Sequence, residues 1–147
     1  MKATALSALA LLLLAAGALR ADPPGVVERI EREGGQVRRG GPGGRVSVVR
    51  MPNRAGDADL AGLCELRGLE VLVFLDPLVS DDGLRSVSEL RQLRHLALLR
   101  AGVTDEGLRH LEALTGLKQL DLYKCPYVTD GGVARLKKAL PGCTINR

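Results

Sequence analysis

Few residues in this chain could carry chemistry. They are two histidines (His95, His110), three cysteines (Cys64, Cys125, Cys143) and the recurring pairs Ser80-Asp81, Thr104-Asp105 and Thr129-Asp130. A hydrolytic or transfer site needs acid, base and nucleophile to converge. The spacing places His95 on the outward side of a strand and His110 on an outer helix face, so the two cannot share a site. The hydroxyl–carboxylate pairs invite a hydrolase or calcium reading. Their recurrence at one position of successive segments instead matches helix starts, where the side-chain oxygens of the pair accept from unpaired backbone N–H groups. No glycine-rich phosphate loop follows a strand, and Cys-x-x-Cys metal-ligand spacing is absent. The sequence is therefore read as non-catalytic, with no cofactor and no metal.

The elements that hold these residues repeat. Leu69, Leu72 and Phe74 recur 24 positions on as Leu93, Leu96 and Leu98, and again as Leu117, Leu120 and Leu122. Between them lie Val79-Ser80-Asp81-Asp82-Gly83-Leu84, Val103-Thr104-Asp105-Glu106-Gly107-Leu108 and Val128-Thr129-Asp130-Gly131-Gly132-Val133. A period of this length means a stacked repeat array. Leu-x-Leu spacing gives a short strand with alternate side chains inward. Leu84/Val87, Leu108/Leu111 and Val133/Leu136 then follow at helical spacing. Gly83, Gly107 and Gly132 each precede a core position, which predicts close backbone packing or an unusual backbone angle. Leu60, Leu63 and Leu66 stand 24 residues before Leu84, Val87 and Leu90, so an earlier unit begins with a strand from Val46 to Met51. The final unit carries two extra residues, which brings Cys143 to the Leu117 position and predicts an edge strand at Thr144-Ile145.

The pattern Leu-x-x-Leu-x-Leu, polar turn, Gly-Leu, x-x-Leu resembles the leucine-rich repeat family over residues 46–145. The last unit, Leu117-x-x-Leu120-x-Leu122-x-x-Cys125-x-x-Val128-Thr129-Asp130-x-Gly132-Val133, is similar to the cysteine-containing subclass. Pro77 and Ala101 stand at that cysteine position in the two preceding units, which look like the short variant found in bacterial multi-repeat proteins. The resemblance implies an α/β solenoid arc of about 3.5–4 units, with parallel strands on the concave face and helices on the convex face. It also implies a protein-binding role, although the fold itself names no partner.

Residues 1–21 read as a secretory signal peptide: Lys2, an apolar run from Ala3 to Leu19, and small residues at Ala16-Gly17-Ala18 and Ala21. Export to periplasm, cell envelope or extracellular space is expected, with no membrane role beyond export; an uncleaved membrane anchor is the alternative reading of the apolar run. Residues 22–45 read as a cap. Val26 to Arg32 has a helical apolar face ending at Gly34-Gly35, Gln36 to Arg39 suits a strand, and Gly40 to Gly44 suits a turn. Such a helix and hairpin would cover the open sheet edge of the repeats at 46–147. The full chain carries 21 basic and 17 acidic residues. Removing Lys2 and Arg20 leaves 19 against 17, or +2, and with three aromatic residues this excludes a nucleic-acid partner. An odd cysteine count is unusual for an exported chain. Cys125 lies eight positions beyond Leu117, beside which Cys143 stacks. That gap exceeds the roughly 7 Å Cα separation a disulfide allows. Cys64 falls on the outer helix side and is the candidate for a bond between chains.

If the strand leucines point inward, their neighbours point out. Those neighbours are Val71, Val73 and Leu75; His95, Ala97 and Leu99; Gln119, Asp121 and Tyr123. An exposed apolar patch marks contact with something, so these residues are the expected site for a protein partner, with Arg50, Arg100 and Lys124 as a polar rim. Four short strands present only a few hundred Å², whereas a stable interface takes roughly 800 Å² per partner. The sheet must therefore bind weakly, bind a small target, or recruit the loops 76–80, 100–104 and 125–129. A structural envelope component that self-associates is the alternative reading.

Overall fold

A computed structural model describes residues 22–40 and 43–147; the signal-peptide reading and the centre of the glycine-rich turn lie outside the described residues. The chain forms one six-stranded sheet whose spatial order is its sequence order. The strands are β1 (Gln36–Gly40), β2 (Arg45–Arg50), β3 (Val71–Leu75), β4 (His95–Leu99), β5 (Gln119–Asp121) and β6 (Thr144–Asn146). β1 and β2 form an antiparallel hairpin, and every later pair is parallel. Val71 pairs with His95 and His95 with Gln119, so the register advances one 24-residue repeat per strand. The step to Thr144 is 25, which accommodates an insertion in the last unit.

β3, β4 and β5 each lead into a helix on the opposite side of a shared core. These are α2 (Asp81–Val87), α3 (Asp105–Leu111) and α4 (Asp130–Ala139). Leu72, Leu96 and Leu120 from the strands are fully buried with Leu84, Leu108 and Leu136 from the helices in one cluster. At about 1.5–3 kcal/mol per buried large side chain, this shared layer supplies what no single unit can. The first unit departs from the helical expectation. Two short 3-10 turns, Asp57–Leu60 and Leu63–Glu65, replace its helix, with Gly62 between them at φ 85°. The left-handed glycine breaks the run, yet Leu60, Leu63 and Leu66 still reach the core. Helix α1 (Pro24–Arg32) buries Val27 and Ile30 in that same core. It lies against the first unit, with Arg29 bonded to the Ala61 carbonyl and Val26 beside Gly62.

The helix starts reveal a second device that links the units. Ser80, Thr104 and Thr129 cap α2, α3 and α4 through their hydroxyls, as the sequence suggests. The aspartates do not cap as expected: Asp57, Asp81 and Asp105 each reach one repeat forward. Asp57 accepts from the Ser80 N–H and hydroxyl at 2.8 and 2.6 Å. Asp81 accepts likewise from Thr104 at 2.8 and 2.7 Å, and Asp105 from Thr129 at 2.8 and 2.6 Å. The same carboxylates explain the glycines. A Cβ on Gly83, Gly107 or Gly132 would overlap Asp57, Asp81 or Asp105 respectively. Close packing, not a positive φ, is therefore what demands glycine there. The Thr129 hydroxyl, then its N–H, holds the Asp105 carboxyl below its usual range.

Candidate interaction surface

One side of the sheet faces the core and the other is open. β3 alternates in burial along its length, with Leu72 and Phe74 buried and Val71, Val73 and Leu75 half-buried. His95, Leu99, Gln119 and Asp121 are likewise half-buried on the open side, and Tyr123, just past β5, is exposed. Ala97 differs. It lies between Val73 and Asp121 in the register and is only 5% exposed. Its methyl group forms the floor of the face and offers little contact of its own. Helix α1 packs into the core at the end of the array, so it does not cover these residues.

The open face divides into two chemical zones. Toward β6 it is polar. His95 Nε2–H donates to Asp121 at 2.6 Å, Gln119 Nε2 donates at 2.9 Å, and Asn146 Nδ2 donates at 2.6 Å. Partial burial pushes the Asp121 carboxyl up, but these donors outweigh it and leave it below the ordinary carboxylate range. The carboxylate thus ties β4, β5 and β6 together, and its acceptor capacity is taken. Among the described residues no nucleophile lies beside the His95–Asp121 pair, and His110 lies on α3, on the far side of the core.

The second zone follows the C-terminal ends of the strands. Asp76, Arg100 and Lys124 have positive φ at corresponding positions of successive units, and Arg54 has it in the turn after β2, all from 53° to 63°. A non-glycine residue there costs about 1–2 kcal/mol. The turn keeps the inter-strand ladder going, which offsets that cost. The N–H groups of Arg54, Asp76 and Arg100 donate to the carbonyls of Asp76, Leu99 and Tyr123 at 3.2, 2.9 and 2.8 Å. Two depressions of about 330 Å³ each open along this edge. Arg50, Leu75, Asp76 and Arg100 line the first, Asp121, Asn146 and Arg147 line the second, and Leu99 and Tyr123 line both. The Lys124 ammonium sits 5.3 Å from the centre of the Tyr123 ring. The adjoining loops expose Leu78 and Tyr127, at 63% and 64%.

No protein-family model matches the chain, and no curated protein matches it. Among solved structures it is similar to a leucine-rich-repeat protein of Leptospira interrogans, at 25% identity and a TM-score of 0.46. The similarity covers 58% of this chain and 21% of that one, so this chain spans about a fifth of that protein's length. A leucine-rich-repeat-like α/β fold is what the register and shared core of the chain itself describe.

The cysteines take no part in the open face. All three are free thiols. Cys64 is exposed beside the first unit's turns, while Cys125 and Cys143 are buried. Burial pushes the Cys125 thiol up; burial, then the nearby Asp121 carboxylate, does the same for Cys143.

Proposed function

We propose that this chain is an exported, non-catalytic protein–protein interaction module. It engages its partner with the open strand face and the adjoining loops at 76–80, 100–104 and 125–129. The observation carrying this reading is the row of half-buried apolar side chains, Val71, Val73, Leu75 and Leu99, that no other described element covers. Loop residues Leu78 and Tyr127 extend that surface beyond the small area the strands offer. Export rests on residues 1–21, and N-terminal sequencing of the protein from a fractionated native source tests it. Membership of the last unit in the cysteine-containing subclass is supported by Cys125. Its Sγ lies buried, 3.2 Å from the Leu98 carbonyl of the preceding unit.

The test is a cross-linked pull-down from the native envelope fraction, comparing wild type with a folded Val73→Asp/Leu99→Asp variant. Loss of the captured partner in the variant supports the open face; equal capture by both places the site elsewhere. The alternative reading is a self-associating component of the envelope. Capture of only the chain itself, with mass rising with concentration, favours that reading.

A further inference from the structure

We propose that the groove along the C-terminal strand ends receives an extended acidic peptide segment, with carboxylates alternating with apolar side chains. This rests on the open-face reading and adds the chemistry of the ligand. Arg50 and Arg100 line the first depression, and among the described residues neither guanidinium has an ion-pair partner. Lys124 stands one repeat further, over Tyr123. Two carboxylates lie along this edge. Asp121 keeps its negative charge but lines the second depression, beside Arg147. In the first depression Arg50 and Arg100 face Asp76 alone, so that depression keeps a positive excess of one. Leu75, Leu99 and Tyr123 supply apolar walls between the charges.

The layout favours an extended chain over a compact anion. Arg50 is in register with Val73 and Ala97, three residues before Arg100, so the two backbones stand about 10 Å apart across the sheet and about 10 Å along it, about 14 Å overall. Leu75 and Asp76 of the intervening unit lie between them. A single phosphate would need donors converging on one point. Carboxylates four residues apart on an extended chain, at about 3.3 Å per residue, match the separation instead. From β2 to β6 the edge runs about 19 Å, the reach of about six extended residues. Guanidinium groups suit this ligand because they bind carboxylates bidentately.

The test is an array of synthetic octapeptides in which Leu alternates with Glu, Gln or Lys. It is probed with the purified chain, an Arg50→Glu/Arg100→Glu variant, the Val73→Asp/Leu99→Asp variant and an Arg85→Glu control on α2. Urea unfolding establishes that each variant is folded. The expected result is binding of the Glu peptides at least about tenfold tighter than the Gln peptides, weakened by salt. That preference disappears in Arg50→Glu/Arg100→Glu and persists in Arg85→Glu. Equal binding of Glu and Gln peptides overturns the proposal. So does binding to no peptide, or full displacement of the Glu peptides by equimolar inorganic phosphate. If Val73→Asp/Leu99→Asp abolishes binding while the charge variant does not, the acidic class fails and the open face stands. If neither variant changes binding, both fail.

Discussion

Replacing Gly107 with alanine tests the inter-repeat ladder, because its outcome should depend on a residue 26 positions away. In an unobstructed helix, Gly→Ala stabilises by about 1 kcal/mol. Here the new methyl group would displace the Asp81 carboxylate. That carboxylate accepts from the Thr104 N–H at 2.8 Å and its hydroxyl at 2.7 Å. Charge-assisted bonds of this kind contribute about 1.5–3 kcal/mol when well shielded, and about 1 kcal/mol each is reasonable at this half-exposed site. Gly107→Ala should therefore lose about 2 kcal/mol and regain about 1 from helix propensity, a net cost of about 1 kcal/mol. Asp81→Ala alone should cost about 2 kcal/mol. In the Asp81→Ala background the carboxylate overlap is gone, and Leu84 Cδ1, 3.0 Å away at the end of a flexible side chain, can give way. There the glycine replacement should stabilise, leaving the double variant only about 1 kcal/mol below wild type. The coupling is thus about 2 kcal/mol, read from urea midpoints at constant slope. Gly102→Ala, where a Cβ meets open space, serves as a near-neutral control. The reasoning is refuted if Gly107→Ala stabilises the native background, or if the two changes add to within about 0.5 kcal/mol.

Three further outcomes are expected. Leu96→Ala, at a fully buried position in the central unit, should cost about 2–5 kcal/mol in the same unfolding assay; a near-neutral result would contradict the core assignment. Acid should loosen the array. Asp105 and Asp121 are held below their ordinary carboxylate values, so their contribution is complete above about pH 4 and is lost as pH falls through the lower folded values. Carboxyl NMR titration should show Asp105 moving back toward the ordinary value in Thr129→Val, and an unmoved Asp105 would count against the bond. Labelling with an aromatic disulfide at neutral pH should modify Cys64 quickly and Cys125 and Cys143 only on unfolding, because the last two are buried and their thiols pushed up. Equally fast modification of all three would contradict the packing described.

The repeat was legible because two periods coincide in the sequence. Leu72/Phe74, Leu96/Leu98 and Leu120/Leu122 alternate as strands do, and each set returns after 24 residues. Together these settle which side chains face inward and which face out. The cap hydroxyls at Ser80, Thr104 and Thr129 were legible for a local reason, the unpaired N–H groups at a helix start. The aspartates beside them were not, because their partners lie one repeat away. Only the strand register brings Asp81 to Thr104 and Gly107. That register also explains the His95–Asp121–Asn146 bonds, which join residues 26 and 25 positions apart. The left-handed turns at Arg54, Asp76, Arg100 and Lys124 carry no glycine or asparagine to announce them. The 3-10 turns of the first unit were hidden for a similar reason, since Leu60, Leu63 and Leu66 keep helical spacing across the break at Gly62.

The most direct test of the central claim is hydrogen–deuterium exchange on the chain alone and bound to the partner captured from the envelope fraction. The open-face account predicts slowed exchange in β3 and β4 and in the loops 76–80, 100–104 and 125–129, with α2, α3 and α4 unchanged. Protection confined to those helices, with the strand ends and loops unaffected, would contradict it.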